Sequence, residues 1–329
     1  MRAERLLQRS KRSIDHRMRH TQSLTNVRPL LDSWSLLPAV TRGCALMLLS
    51  TVMFAGMHAA IRHTTQFMPP VEVAFFRNLF GLLVIAPLLM RYGAGVFRTQ
   101  KLGLHMLRAV LNVLSMLAFF VGLSMTPIAR ATALSFTAPL FTALLGVLFL
   151  GEVFRWRRWT AILVGFVGAL VILRPGIEGL ETGALLIVVS SLLWSLAVID
   201  IKLLARTESS LTITAYVTVL LIPLTLGPAL MVWQWPPAAM WGWLAFIGVI
   251  GTLGQIAVTE ALKLADTTAL MPFDFLKLIW AAVLGALLFG ERPDVFTWIG
   301  AAIVFASSFY IAWRETVLRR QQKAVEPAA

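Results

Sequence analysis

The sequence holds one cysteine, Cys44, and three tyrosines, and only 14% of its 329 residues are charged against 58% that are apolar. A single cysteine excludes an intramolecular disulfide framework and a cysteine-based zinc cluster, so Cys44 reads as a small helix residue. The polar complement is too thin to cover a soluble globule of this length. Walker A loops (GxxxxGK[ST]) and HExxH helices are absent, which disfavours ATP-driven and metalloprotease chemistry. His58, His63 and His105 have no carboxylate at a short recurring spacing, so a lipid-acting membrane enzyme finds no motif either. No enzyme activity, cofactor or metal is expected. Acidic residues are scarce as well, 16 against 29 Lys and Arg, for a net charge of +13. That excess raises the question of nucleic acid, and the placement of the basic residues answers it: they sit mainly in the tails and in alternate loops.

What the chain has in abundance is apolar runs of about 20 residues, the length that spans a bilayer core as a helix. Ten are predicted, over residues 43–62, 71–90, 103–124, 127–150, 157–174, 182–203, 211–232, 241–262, 267–289 and 295–313. The loops between them are short, leaving little room for extramembrane chemistry or for a soluble partner. The fold class is therefore an all-α integral membrane protein, with membrane lipid as its surroundings.

Residues 1–42 are polar and basic, from Arg2 to Arg42, and read as a cytoplasmic tail drawn to anionic headgroups rather than as a secretory signal or a nucleic-acid arm; Met18 is an alternative start. With the N-terminus inside, most Lys and Arg fall on the cytoplasmic side and only Arg62, Arg174 and Arg292 on the other. The positive-inside rule then puts both termini in the cytoplasm. Trp156, Trp159, Trp233, Trp235, Trp241, Trp243, Trp298 and Trp313 cluster at predicted span ends, where amphipathic rings sit at headgroup depth.

One half of the chain is a divergent copy of the other. Shifting by 139 positions lays Leu123 on Leu262, Phe136 on Phe275, Ala143 on Ala282, Gly146 on Gly285, Gly151 on Gly290, Glu152 on Glu291 and Trp159 on Trp298. A one-residue gap then brings Gly43 onto Gly183, Ser50 onto Ser190 and Arg62 onto Lys202. Each copy holds an odd number of spans, so the second enters the membrane from the opposite side. Inverted repeats of this kind are typical of secondary carriers, whose halves rock about a site near the bilayer midplane; duplication in a scaffold or membrane-embedded enzyme is the alternative class. The expected layout is a tail at 1–42, five-helix repeats at 43–176 and 177–314, and a cytoplasmic C-terminal tail at 315–329. The recurring Gly-Glu suggests a shared structural task for Glu152 and Glu291, such as capping a neighbouring helix N-terminus.

Pro127, Ala129, Ala131, Pro139, Leu140 and Phe141, leading to LFLGE at 148–152, Trp159 and GFVGALVILRPG at 165–176, resemble the EamA family of the drug/metabolite transporter superfamily over about residues 40–314. The second copy departs from the pattern, with Asp266 in place of Pro127 and Leu278 in place of Pro139, while keeping LLFGE at 287–291. The resemblance implies a multi-pass carrier of the bacterial inner membrane for a small organic solute, as monomer or homodimer. The leading expectation is export of an amino acid or related zwitterion by alternating access. The alternative is uptake of a vitamin or nucleoside-like compound such as riboflavin or S-adenosylmethionine.

Ionisable groups within spans are costly and mark candidate sites. In MPFDFLKLIW, Asp274 and Lys277 lie three residues apart on one helical face. They form either a self-neutralising pair or a substrate site, and Asp274 doubles as a coupling candidate. Pro272 is expected to open the helix just before Asp274. Glu260, with Lys263 one turn on, is a second coupling candidate or an interfacial pair, and Asp200 and Lys202 invite the same two readings. Arg77 and Arg108 can clamp an anionic group or snorkel to the interface; Glu72 is the expected partner of Arg77. Asn112 and Ser115 match Gly251 and Gly254 in the second copy, a face suited to close helix packing or to a cavity floor. Trp194, Tyr216 and Gln255 can complete a lining, and Ser135, opposite Asp274, stands where the copies diverge.

Overall fold

The computed structural model describes residues 37–150, 156–174 and 181–325. In lipid no water satisfies the backbone, so each apolar run closes its hydrogen bonds internally as a helix. The helices are α1 (Ala39–Thr64), α2 (Pro70–Tyr92), α3 (Leu102–Met125), α4 (Ile128–Ser135), α5 (Ala138–Leu150) and α6 (Trp156–Leu173), then α7 (Thr182–Leu204), α8 (Ser210–Met231), α9 (Met240–Leu264), α10 (Thr267–Asp274), α11 (Leu276–Phe289) and α12 (Val295–Val325). Among the described residues nine stretches are long and apolar enough to cross a membrane, with the shorter Trp159–Leu173 beside them. The ten predicted spans follow, α4 with α5 and α10 with α11 each making one broken span. The last helix outruns its expected end: the apolar part stops at Arg314, but α12 continues to Val325 through the stretch expected as a tail. Leu83, Leu148, Phe149, Leu163, Leu287 and Ile299 are exposed and form the lipid-facing surface.

The repeat is legible in the packing. The first helix of each repeat packs most extensively on the third helix of the other, α1 on α9 and α7 on α3, while α6 and α12 pack on each other. The halves are interlaced rather than set side by side. At one seam a Cβ added to Gly183 would meet Thr126, Met125 and the Gly122 carbonyl; at the other, a Cβ on Gly43 would meet Ala265, Leu264 and the Ala261 carbonyl. These two sets of neighbours are each other's images under the shift of 139. Small residues let the backbones approach here.

Both copies of the fourth span begin and break alike. Pro127 at the start of α4 has φ −52°, ψ 140°; Asp266, at the start of α10, has φ −61°, ψ 141°. Losing the proline therefore leaves the entry geometry intact. Each helix then stops after eight residues and restarts beyond Phe136 in one copy and at Phe275 in the other. Pro272 lies inside α10, and the break follows Asp274 rather than preceding it.

The loops after odd-numbered spans lie on one face, the odd-loop face. There the repeats are tied by arginines. Arg62 donates to the carbonyls of Leu123, at 3.3 Å, and Ser124, and lies 3.5 Å from Glu291. Arg130 binds Glu181 at 2.8 Å and the Ile172 and Leu173 carbonyls that end α6. Arg174 pairs with Asp294, which accepts from the Thr297 amide near the start of α12 at 2.7 Å. Each arginine belongs to the first repeat and each carboxylate to the second.

The Gly-Glu stop has a physical reason. Gly290 closes α11 in the left-handed region, φ 65°, as glycine does at helix ends. Glu291 folds back so that a Cβ at Gly285 would come 3.0 Å from its Oε2, and that oxygen accepts from the Ile128 amide at 2.8 Å. Glu291 thus caps a helix of the other repeat; Gly151 and Glu152 lie outside the described residues. Glu291→Ala is expected to cost about 1–2 kcal/mol, the loss of a cap plus a charge at a helix N-terminus, measurable as a lower Tm in detergent. An unchanged Tm would remove the cap from the account of this face.

Candidate functional site

The two breaks meet. Phe136 and Phe275, equivalent in the two copies, face each other with ring centroids 5.6 Å apart, which puts the local symmetry axis between them. Each lies eight residues into its span, about 12 Å deep at 1.5 Å per residue, close to the middle of a hydrocarbon core about 30 Å thick. Lys277, at the start of α11, holds its Nζ 5.0 Å from the centre of the Phe136 ring and 3.4 Å from Asp274 Oδ1. A cation over an aromatic face is attracted by the ring quadrupole. Phe275 in turn lies 4.3 Å from Phe305 of α12.

α1 closes another side. His58 is buried and tilted against Phe119 at 4.9 Å, and its Nδ1 has no hydrogen-bond partner. Lys277 is its electrostatic neighbour. The side chains of Lys277 and Asp274 keep 17% and 29% exposure, so the pair is not sealed. An ion pair with free lone pairs, phenyl rings tilted against one another and an imidazole with an unpartnered Nδ1 can hold a planar apolar group and charged substituents together.

Of the expected site residues, Asp274 and Lys277 are brought together, and Ser135 ends the opposing helix, its hydroxyl donating to the Thr132 carbonyl at 2.7 Å. Arg77 donates to Asn78 Oδ1 at 3.0 Å, and its Nε approaches Gly251 of α9. Glu72 does not pair with it: that buried carboxylate accepts from the Gln234 amide. The small-residue faces pack. Ser115 donates across the α3–α7 seam to the Ser190 carbonyl at 2.8 Å, Asn112 bonds its own helix at the Arg108 carbonyl, and Gly254 faces Met53 and Phe54. Arg108 donates to the Ile213 carbonyl at 2.8 Å, and Tyr216 stacks on His105 at 4.3 Å, both near the loops after even-numbered spans. Trp194 and Gln255 are exposed on their helices. Glu260 is exposed and pairs with Lys263 at 2.7 Å.

Phe119, Phe136, Phe275 and Phe305 are not among the site residues expected from the sequence. The signal for Phe275 was present, since Phe136 and Phe275 already stood opposite each other in the repeat alignment. Among the described residues no group of three or more His, Cys, Asp or Glu side chains could hold a metal ion.

The comparisons agree with this architecture. A family model described as the EamA-like transporter family matches residues 41–174 and again 181–313. The chain is 35% identical to a riboflavin transporter of Rhizobium johnstonii, covering 85% of this chain and 93% of that one. It is 31% identical to an S-adenosylmethionine uptake transporter of Rickettsia bellii, covering 83% and 94%. A pseudopaline exporter of Pseudomonas aeruginosa is 28% identical over 80% and 93%. A crystal structure with 17% identity superposes at a TM-score of 0.56, covering 83% of this chain and 96% of that one, a likeness of fold alone. One model matching both repeats, with relatives above 30% identity along most of their length, fixes the assignment: the chain belongs to the EamA-like transporter family, as a multi-pass membrane transporter rather than an enzyme.

Proposed function

We propose that this transporter is an alternating-access carrier of the bacterial inner membrane, both termini cytoplasmic, for a small metabolite that combines a planar heteroaromatic ring with charged substituents. The observation that carries the reading is the pairing of Phe136 and Phe275 at the two helix breaks beside Lys277 and Asp274. Rings offer a face for stacking, and the pair offers one cation and one anion to a zwitterion. A flavin meets the first condition and an adenosyl-sulfonium amino acid meets both, which agrees with the names of the relatives above 30% identity. The name of the S-adenosylmethionine uptake transporter supports uptake. Export of an amino-acid-like zwitterion is the second reading, favoured by the same ion pair and by the pseudopaline exporter.

The test is counterflow in proteoliposomes. Vesicles loaded with unlabelled S-adenosylmethionine or riboflavin are expected to accumulate the labelled compound transiently and saturably. Absence of counterflow for these and for a wide panel of amino acids and nucleosides would sink the carrier reading.

A further inference from the structure

Transport by alternating access requires each face to close while the other opens. Both faces carry cross-repeat hydrogen bonds, Thr99 donating to Glu208 and Tyr216 to the Phe97 carbonyl beside the even-numbered loops, each at 2.6 Å, but the ion pairs of the two faces differ in state. On the odd-loop face Arg62, Arg130 and Arg174 are joined to Glu291, Glu181 and Asp294. On the opposite, even-loop face, Arg108 of α3 and Asp200 of α7 are electrostatic neighbours across the two repeats but are not bonded to each other. Asp200 is 4% exposed and no donor among the described residues reaches either carboxylate oxygen. The Nε of Arg108 is likewise buried without an acceptor, its guanidinium turning instead to the Ile213 carbonyl of α8. His105, one turn before Arg108, is buried with both ring nitrogens unpartnered.

A buried polar atom without a partner is costly and rare in native proteins. A buried Nε without a hydrogen-bond acceptor occurs on the odd-loop face too, at Arg62, so the difference between the faces lies in the carboxylates: Glu291, Glu181 and Asp294 are paired, and Asp200, on the α3–α7 seam with Arg108, is not. We propose that Arg108 and Asp200 are the two halves of a latch that closes the even-loop face when the carrier opens its odd-loop face. The orphaned atoms of this conformation are satisfied in the other, and the three arginine pairs of the odd-loop face are exchanged for it. The two pairings are then alternately made, as in other bistable interfaces. This rests on the alternating-access reading, and the odd-loop face is the outer one under the proposed orientation.

The experiment uses full-length protein carrying Cys44→Ser and the reporter Ser135→Cys beside the central break. A membrane-impermeant maleimide is applied from the even-loop side in one vesicle orientation and from the odd-loop side in the other. Removing a contact made in only one state shifts the balance between states by its full strength. Asp200→Asn and Arg108→Gln are each expected to raise the ratio of even-side to odd-side labelling by about tenfold, and the swap R108D/D200R to return it towards the parent value. A ratio unchanged in both single variants would overturn the latch. If D200N is lost from the membrane, R108Q and the swap decide, and a swap that stays with the single variants counts against it. Counterflow of the parent is measured in parallel. Counterflow without a shift in labelling defeats the latch alone, whereas a shift without counterflow keeps the latch and defeats the metabolite-carrier reading.

Discussion

Lys277→Gln is expected to abolish counterflow, lowering transport at least about a hundredfold, which corresponds to the loss of a charge-assisted hydrogen bond or two to substrate, and Asp274→Asn to do the same. The groups lie at the break between α10 and α11, with the Lys277 ammonium over Phe136. Under the proposed reading each variant removes a contact to solute, and each strands the other charge. Stranding a fully buried charge costs about 3–5 kcal/mol. Here part of each side chain is exposed, so the cost is smaller and the single variants are expected to reach the membrane folded, with lowered Tm. The double variant D274N/K277Q separates the two roles. It carries no stranded charge, so its Tm is expected to return towards the parent value while counterflow stays absent. A double variant that transports normally would make the pair a packing device and move the solute elsewhere.

The span pattern was legible because bilayer thickness writes itself into the length of apolar runs. α7 begins at Thr182 and ends at Leu204, within a residue of the expected 182–203. The end of α12 was not legible in this way. Beyond Arg314 the helix is governed by local propensity rather than by lipid, and a polar stretch such as RETVLRRQQKAV carries no apolar signal. Duplication was equally readable, down to the divergence of Ser135 from Asp274. Partners were not: Glu72 was assigned to Arg77 from their nearness in sequence, but its acceptor role goes to Gln234, which arrives from the loop after α8. The break at Phe275 was inferred from Pro272 and misplaced. Phe136 breaks in the same way with no proline in α4 but with Pro139 in the first turn of α5, where the second copy has Leu278; no proline is common to the two breaks, so the shared geometry comes from the packing of the two repeats rather than from one residue's missing amide.

That packing yields the second large effect. Gly183→Leu is expected to leave almost no folded protein, and the smaller Gly183→Ala to lower the Tm clearly, whereas Gly43→Ala, at the equivalent position, leaves it nearly unchanged. At Gly183 an added Cβ would come 2.5 Å from Thr126 Oγ1, 2.7 Å from Met125 Cβ and 3.1 Å from the Gly122 carbonyl. Two of these three groups are fixed to the backbone of α3, so relief requires the α3–α7 seam to open, and overpacking of this sort costs about 1–3 kcal/mol. At Gly43 the nearest atoms are Ala265 Cβ at 3.0 Å and the Ala261 carbonyl at 3.3 Å, distances that a shift of a few tenths of an ångström accommodates. Alanine also gains up to about 1 kcal/mol over glycine in a helix interior. Gly43 is in the second turn of α1 and collects much of that gain; Gly183, the second residue of α7, collects little. The two effects thus add to a gap of about 2 kcal/mol between formally equivalent positions, read as a difference in Tm between the two alanine variants in the same detergent. Equal Tm values would mean that the seams are equally tight and that the copies have not diverged in their packing.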